Sequence, residues 1–451
     1  MDPYTCSDAT QWDALSAQSW IDAHVWSREC KQAMELALAM TFGAQSREIS
    51  FLYFLFYVHA AGGIEDLFEV KNGAQEKRFT GGTQQLCEGL AARAQRNAES
   101  NPNVRLQVRL NEPVVTITHI KADDAKAALS QEAQITTASG RCYRAKHVIM
   151  AVPPHMAVTG IRYEPPLPFI RQQLSQRAAL GSYTKAIAFY DKPFWRQAGF
   201  SGETISLTPT AEYPILSTYD YTDAAEQHWA LVSFLTADVA LHIDSLPLAD
   251  RQTAVLRNLA RLFGLEALKP SQFLYKAWAE EKWTRGCPVA LFPAGSFARH
   301  AQVLRQPVGV IHWAATDTAT QWTGYMEGAL QSAERAAAEV IAAAGGQSIS
   351  DKDEQPDRTV GWVNIHACAP GAMKRRPQRS CCSAVFWTVV LLMALLFALL
   401  IITGYLDEQS ADQSAPFEQS FQGDPSYARS SAVDLERILA QQRLLQNRAD
   451  L

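Results

Sequence analysis

The sequence lacks the glycine and cysteine patterns that mark several common kinds of site. It has 24 glycines but no G-x-G-x-x-G, although pairs begin at Gly62, Gly81 and Gly345. The printed chain therefore contains no glycine-rich turn of the kind that cradles a dinucleotide pyrophosphate. The eight cysteines show no C-x-x-C spacing. This predicts reduced thiols in a cytosol-facing protein, with no structural zinc and no disulfide framework.

Charge is also sparse, and it has no strong sign. Only 19% of the 451 residues are charged, and the formal net charge is −5. This balance predicts no nucleic-acid partner. Apolar residues make up 47% of the chain, which is enough to build one large or two ordinary globular domains. No apolar signal segment occurs in the first twenty positions.

One long apolar run stands out near the C-terminus. Residues 384–403 carry no charge and are long enough to cross the ~30 Å hydrocarbon layer as a helix. A buried core helix is the alternative, but such helices are rarely so uniformly apolar. Lysine and arginine precede the run and acidic residues follow it, which favours a cytosolic location for the preceding chain. We predict a transmembrane helix over 384–405.

Residues 275–330 hold most of the candidate chemistry. Val310–Ala314 is typical of a buried strand, a polar loop follows, and apolar residues then recur at helical spacing from about Gly324. A helix start carries a partial positive charge and free N–H groups, so it favours an anion. Gly324 and Gly328 would let a flat ligand come close.

Cys287 lies between Gly286 and Pro288 in the same stretch. A turn of this composition is expected to expose the thiol, and Arg285 could favour the thiolate. Taken alone, Cys287 is more simply interpreted as a free cysteine in a loop.

Taken together, these residues resemble the monoamine oxidases, which are flavin enzymes of the outer mitochondrial membrane. The resemblance runs from about Trp12 to Ala344, and its most specific segments are Trp278–Glu281, Gly286-Cys287, Phe292-Pro293, Val303–Pro307 and Thr316–Ala329. It implies an α/β fold of mixed α+β type, the two-domain fold of FAD-linked amine oxidases. The printed chain would lack the N-terminal dinucleotide-binding segment of that fold.

The resemblance implies two roles close to the flavin ring. The cysteine matching Cys287 bonds through its sulfur to FAD, as an 8α-S-cysteinyl linkage. The tyrosine matching Tyr325 forms one wall of an aromatic cage around the substrate amine. The family's second cage tyrosine follows the flavin cysteine, but here that position is Pro288, and the sequence does not say which residue replaces it.

Further cofactor contacts are implied at both ends of FAD. Val114 matches a position whose backbone contacts the adenine end. Thr316, Asp317 and Met326 lie at the predicted helix start, where the resemblance places the flavin. Asp317 replaces a family glutamate and keeps its charge with one methylene fewer.

A lysine on a predicted strand is the least expected charge. Period-2 alternation places Lys185 on one face with Tyr183, Ile187 and Phe189. A lysine at the strand rim, with its amine in water, is the ordinary interpretation. The resemblance instead implies that Lys185 reaches the flavin through a water molecule beside Trp278, and helps oxygen react with the reduced flavin.

Phe68 falls where the family has a side chain that gates the substrate cavity. An ordinary core phenylalanine explains it equally well.

The resemblance also predicts the domain organisation. The substrate domain would comprise residues 1–78 and 175–280, and the FAD-binding domain residues 79–174 and 281–344. A linker over 345–383, the transmembrane helix over 384–405 and a polar tail over 406–451 would follow. The catalytic part is expected to face the cytosol, with the mitochondrial outer membrane implied by the resemblance, and a homodimer remains open.

The predicted activity is FAD-dependent oxidation of a primary or secondary amine to an aldehyde, with O2 reduced to H2O2. One alternative is a catalytically impaired, membrane-anchored scaffold or binding protein, because the G-x-G-x-x-G turn is missing. The other is a polyamine or amino-acid oxidase, which would hold flavin without the cysteine linkage.

Overall fold

The architecture comes from a computed structural model, which describes residues 7–68, 79, 81–120, 132–223 and 228–345. Its α-helices are α1 (Ala9–Asp13), α2 (Ala17–His24), α3 (Arg28–Phe42), α4 (Phe51–Ala60), α5 (Ile64–Phe68), α6 (Gln84–Ser100), α7 (Phe169–Arg177), α8 (Phe194–Gln197), α9 (Ala237–Asp244), α10 (Leu248–Phe263), α11 (Phe297–His300) and α12 (Met326–Ala343).

The strands follow in chain order. They are β1 (Val114–Ile120), β2 (Glu132–Thr137), β3 (Cys142–Ala145), β4 (Val148–Met150), β5 (Arg162–Glu164), β6 (Ala179–Leu180), β7 (Tyr183–Tyr190), β8 (Thr204–Ile205), β9 (Ser217–Asp220), β10 (Trp229–Thr236), β11 (Gln272–Ala277), β12 (Ala290–Leu291) and β13 (Ile311–Trp313).

A five-stranded antiparallel sheet carries the predicted lysine. Its strand order is β11-β7-β10-β9-β8. One face packs against α9 and α10 in a core that includes Ala186, Ala188 and Leu259, all nearly inaccessible to solvent. Gly264, with φ +105°, follows α10 directly. Because one face is filled in this way, β7 must direct its other face away from the core.

A second group of strands lies around a separate core. The order β3-β2-β1-β5 forms a four-stranded sheet, and β4 pairs in parallel with β13. Ile117, Tyr163 and Trp313 are buried together in this core. The β4–β13 pair joins the segments 79–174 and 281–344, which the sequence assigned to the flavin-binding part.

The N-terminal helices are fastened to the region around residue 290. The buried carboxylate of Asp13 accepts hydrogen bonds from Ser50 Oγ at 2.6 Å and from the Phe297 and Ala298 N–H groups at 3.2 and 3.0 Å. Tyr53 on α4 donates to the Ala290 carbonyl at 2.7 Å. These bonds satisfy buried polar groups and fix α4 beside β12.

The alternation of residues 104–110 and the apolar run 147–154 each predict a strand, and the first of these predictions is wrong. Residues 104–110 alternate like a strand but pair with no strand among the described residues, and Val108 and Leu110 are 55% and 80% exposed. The alternation specifies a face, but a strand also needs a partner for its N–H and C=O groups. The second strand forms as β4, but a continuous apolar run favours cover on both faces, and Ile149 is 44% exposed.

No helix in the described ranges combines the length and apolar character needed to span a bilayer. The predicted transmembrane segment 384–405, the linker after Gly345 and the tail 406–451 lie outside those ranges.

Candidate active site

Lys185 lies on the open face of β7. Thr184, Ala186, Ala188 and Tyr190 are buried, whereas the alternate residues from Tyr183 to Phe189 are only half-buried. The predicted alternation is therefore confirmed. Lys185 stands directly opposite Phe234 of β10, and its Nζ lies 5.2 Å from the centroid of that ring. An ammonium over an aromatic face is attracted by the ring's quadrupole, so this contact stabilises the charge.

The cysteine turn, residues 284–288, folds tightly against the chain just before β7. The Cys287 N–H donates to the Gly181 carbonyl at 3.0 Å, and the Cys287–Pro288 peptide is cis. Gly286 has φ +140°, and a Cβ there would lie 2.6 Å from Leu180 Cβ. Glycine is required at this position, because the two segments would otherwise collide.

The environment of the thiol differs from the predicted one. Cys287 is half-buried rather than exposed in a loop. Burial raises the pKa of its thiol to about 12, and the Lys185 charge opposes that rise. Arg285 was expected to favour the thiolate, but Lys185 is the cation that lowers the pKa here. The difference follows from packing, because the turn lies against the segment that leads into β7 and so brings Cys287 near Lys185.

The helix mouth, defined as residues 324–326 at the start of α12, is shaped by Thr316. The Thr316 hydroxyl accepts from the Gly324 N–H and donates to the Tyr325 carbonyl, both at 2.8 Å. Met326 is the first helical residue and is 52% exposed. The first turn of an α-helix leaves N–H groups without a partner inside the helix, so this end remains suited to an anionic group.

The cysteine turn and the helix mouth meet at one point. Gly324 has φ +86°, and a Cβ there would lie 3.2 Å from Val289 Cβ and 2.6 Å from Tyr57 Oη. The Ala290 N–H donates to Asp317 Oδ1 at 2.7 Å. Two independent contacts thus fix the segment after Cys287 against the loop that precedes α12.

Asp317 has a structural role that the sequence did not indicate. Its carboxyl is buried, and burial raises its pKa, although the hydrogen bond from Ala290 acts in the opposite direction. The residue was predicted to contact the flavin's sugar-like chain. In the structure, one carboxylate oxygen is occupied by the strand β12.

Tyr325 stands in an aromatic neighbourhood at the helix mouth. Its ring lies 5.3 Å from Trp322 in an edge-to-face arrangement and 6.5 Å from Tyr57. Burial raises the pKa of Tyr325, so the phenol stays neutral at physiological pH. Tyr57 is a residue that the sequence analysis did not name, because the apolar run of α4 is typical of packed core. The available signal was that this apolar helix carries two tyrosine hydroxyls, those of Tyr53 and Tyr57.

Trp278 directly follows β11 and is half-buried. The cation over its ring is Lys276, whose Nζ is 5.3 Å from the centroid and which also forms an ion pair with Glu281. Lys276 is directly opposite Lys185 in the β7–β11 pairing. Directly paired residues share a face and have neighbouring Cβ atoms, so Lys185 and Lys276 lie on the same side of the sheet. The contact of Lys276 with the Trp278 ring brings that ring near the same side.

One predicted residue, Val114, lies apart from this cluster. Val114 begins β1 in the four-stranded sheet, where it lines an open groove of about 380 Å³ together with Arg109, Glu112 and Tyr143. Phe68 is the last residue of α5, and its side chain lies outside the described part of the structure.

The cluster can be tested for its fit to a flavin. Covalent attachment needs an accessible thiol, and Cys287 is half-buried beside the open face of β7. An electron-rich ring edge needs N–H donors or positive charge, and the start of α12 and Lys185 offer both. These residues fit the group. Within the described ranges, no set of three or more His, Cys, Asp or Glu side chains is arranged to hold a metal ion.

Comparison with known proteins shows the family to which the chain belongs. The sequence pattern of the family described as flavin containing amine oxidoreductase matches residues 2–341. The chain belongs to that family of flavoprotein oxidoreductases.

The similar curated proteins are flavin-containing amine oxidases. The probable flavin-containing monoamine oxidase A of Dictyostelium discoideum is 36% identical over 338 residues, which are 75% of this chain and 69% of that protein. The flavin-containing amine oxidase B of Homo sapiens is 34% identical over 344 residues, which are 76% of this chain and 62% of that protein. The chain therefore spans less than two thirds of the length of the human relative.

Solved structures give the same class. Cyclohexylamine oxidase from Brevibacterium oxydans superposes with a TM-score of 0.66 and 28% identity, over 76% of this chain and 71% of that one. Putrescine oxidase bound to putrescine gives a TM-score of 0.65 with 28% identity over the same shares. The predicted family, its mixed α/β fold, FAD as cofactor and flavin-dependent amine oxidation as reaction class are thereby confirmed.

Proposed function

We propose that this chain oxidises a primary or secondary amine to an imine, which water converts to an aldehyde, while O2 is reduced to H2O2. The observation that carries the proposal is the joining of the cysteine turn to the helix mouth. The contacts Gly324–Val289 and Asp317–Ala290 bring Cys287 and Tyr325 close together, beside the open face of β7 that carries Lys185. FAD, when bound, supplies the two-electron chemistry.

Cys287 would hold the cofactor by a thioether. Forming it exchanges the S–H bond and one C–H bond of the ring's 8α-methyl group for a C–S bond, and O2 takes up the two electrons and two protons as H2O2. Because burial raises the pKa of the thiol to about 12, the proton must leave a neutral thiol. The neighbouring charge of Lys185 favours that loss.

Tyr325 would form a wall for the amine. Its phenol stays neutral because burial raises its pKa, and it stands among the rings of Trp322 and Tyr57. Apolar surroundings disfavour an ammonium, so they favour the neutral amine, which gives up a hydride more readily. Lys185 and Trp278 would lie on the other side of the flavin, where Lys185 would help O2 react with the reduced flavin.

The decisive experiment uses the full chain expressed with excess FAD. Acid-precipitated protein should stay yellow, and Cys287→Ala should lose that colour while the control Cys142→Ala, an exposed cysteine on β3, keeps it. Peroxide release should appear with a monoamine panel. If flavin is held but not covalently, the polyamine or amino-acid oxidase alternative gains. If no flavin is retained, a scaffold or binding role replaces the enzyme.

We also propose that residues 384–405 anchor the protein in a membrane with the catalytic part on the cytosolic side. The support is the uncharged run with a basic preceding flank. Similarity to monoamine oxidases suggests the mitochondrial outer membrane. We further propose the domain limits predicted from the sequence and a homodimeric state.

A further inference from the structure

Three aromatic side chains on neighbouring strands form an unassigned surface next to Cys287. Tyr183 of β7 meets Phe234 of β10 edge to face, with centroids 5.7 Å apart, and Tyr219 of β9 meets the same ring at 5.9 Å. All three are half-buried, in a sheet whose other face is sealed by the core. We call Tyr183, Phe234 and Tyr219 the aromatic wall.

Tyr183 is the member of the wall that lies against the cysteine turn. A Cβ on Gly43 would lie 3.0 Å from Tyr183 Cδ2 and 3.3 Å from the Cys287 carbonyl oxygen, so ring and turn share one contact point. Gly181, two residues before Tyr183, accepts the Cys287 N–H. The ring therefore stands beside the segment that carries the sulfur.

The ring of Tyr183 is held in place. Its Oη donates to the Met40 carbonyl at 3.1 Å, and Gly43, at φ +62°, provides the space that the ring needs over the end of α3. Burial raises the pKa of Tyr183, and the nearby Tyr219, Cys287 and Tyr325 raise it further. The ring is therefore fixed beside the Cys287 backbone, and its phenol stays neutral.

Pro288 puts no aromatic ring beside Cys287. A pyrrolidine ring offers no aromatic face, so any second aromatic surface for an amine near Cys287 and Tyr325 must come from another residue. We propose that Tyr183 provides it. Tyr183 is then a specificity residue that packs against the flat or apolar group of the amine, and Phe234 and Tyr219 support it from behind. This inference rests on the proposed function.

The test measures binding without turnover. 2-Phenylpropan-2-amine and tert-butylamine carry no hydrogen on the α-carbon, so neither can be oxidised to an imine. They differ only in that the first has a phenyl group where the second has a methyl group. Affinities for the FAD-loaded full chain come from calorimetry or from the change in flavin absorbance. Tyr183→Leu should weaken binding of the aryl amine about three- to tenfold, the share of one aromatic pair, and binding of the alkyl amine by less than about twofold.

Two control variants separate the loss of the Tyr183 ring from a general disturbance of the folded sheet. Tyr183→Phe keeps the ring and should bind the aryl amine like the wild type. Phe189→Leu changes a half-buried aromatic on the same face of β7, about 20 Å along the strand, and should change neither affinity. If Tyr183→Leu has normal flavin content but loses affinity equally for both amines, or loses none, the proposed role of Tyr183 is overturned. Wild-type protein without flavin overturns the proposed function instead.

Discussion

At the scale of single residues, the position of Lys185 is the most informative. It shares a cross-strand row with Phe234 on one side and Lys276 on the other. Lys276 is exposed and paired with Glu281, whereas Lys185 is half-buried over a ring and acts on the Cys287 thiol. Two lysines in one row thus have different surroundings, and only Lys185 is placed to act on a group bound beside Cys287.

Lys185→Met should separate the two halves of the reaction. Without the charge near the sulfur, reaction of the reduced enzyme with O2 should slow by at least about tenfold, which corresponds to about 1.4 kcal/mol in the barrier. Anaerobic reduction by an amine should change little, because the aromatic surfaces remain. Stopped-flow absorbance of the flavin measures both steps. Lys192→Met, an exposed residue just after β7, is the control, and slowed reduction with normal reoxidation would contradict the role.

At the scale of elements, one carboxylate fixes α8 to β9 of the five-stranded sheet. Asp220 ends β9 and accepts from Trp195 Nε1 at 2.9 Å and from Arg196 Nε at 2.6 Å. Burial alone would raise its pKa, but hydrogen bonds from Arg196, Thr222 and Trp195 outweigh burial and lower the pKa to about 2. The folded state therefore holds the charged form.

This arrangement predicts a pH-dependent contribution to stability. The unfolded carboxyl titrates near 3.8, so the contribution of Asp220 is fully present above that pH and is lost as the pH falls through about 2. Asp220→Asn should lower the free energy of unfolding by about 1 kcal/mol at pH 7, because partial exposure of Arg196 reduces the full linkage value.

Urea unfolding at pH 7 and at pH 3 measures that contribution. The difference between wild type and Asp220→Asn should shrink at the lower pH. Asp223→Asn, in a surface pair with His228, should cost less than about 0.5 kcal/mol at pH 7. A difference between wild type and Asp220→Asn that does not depend on pH would show that the charge contributes nothing.

Some of these elements can be predicted from the sequence, whereas the contacts between distant elements cannot. Helix α12 was predicted because apolar residues repeat at helical spacing along a single element. Residues 104–110 were assigned to a strand wrongly, because alternation says nothing about a partner. The neighbourhood of Lys185 and Tyr183 was visible as one face of β7, but the approach of Gly43 to both Tyr183 and Cys287 depends on contacts between distant segments. Such contacts have no local pattern.

At the scale of the whole molecule, the described chain keeps apolar surface on its outside. Val104, Val108, Leu110 and Ile149 are each more than 40% exposed, and α6 has no buried residue. Scattered exposed apolar residues are ordinary, whereas a row of them along one extended segment is the kind of patch that marks interaction surfaces. The candidate active-site residues lie in other elements, and all of them precede the linker predicted over 345–383.

That separation makes the membrane anchor independently testable. Cys287, Lys185 and Tyr325 all precede the linker, so a chain ending at residue 383 should keep covalent flavin and lose only its attachment. We expect the full chain to stay in the membrane pellet after an alkaline carbonate wash, because about 20 apolar residues can span the hydrocarbon layer. The shortened chain should appear in the supernatant with the same flavin content per protein. A full chain released by the wash would rule out a spanning helix, since a helix inserted through the bilayer resists extraction, whereas a surface-bound segment does not.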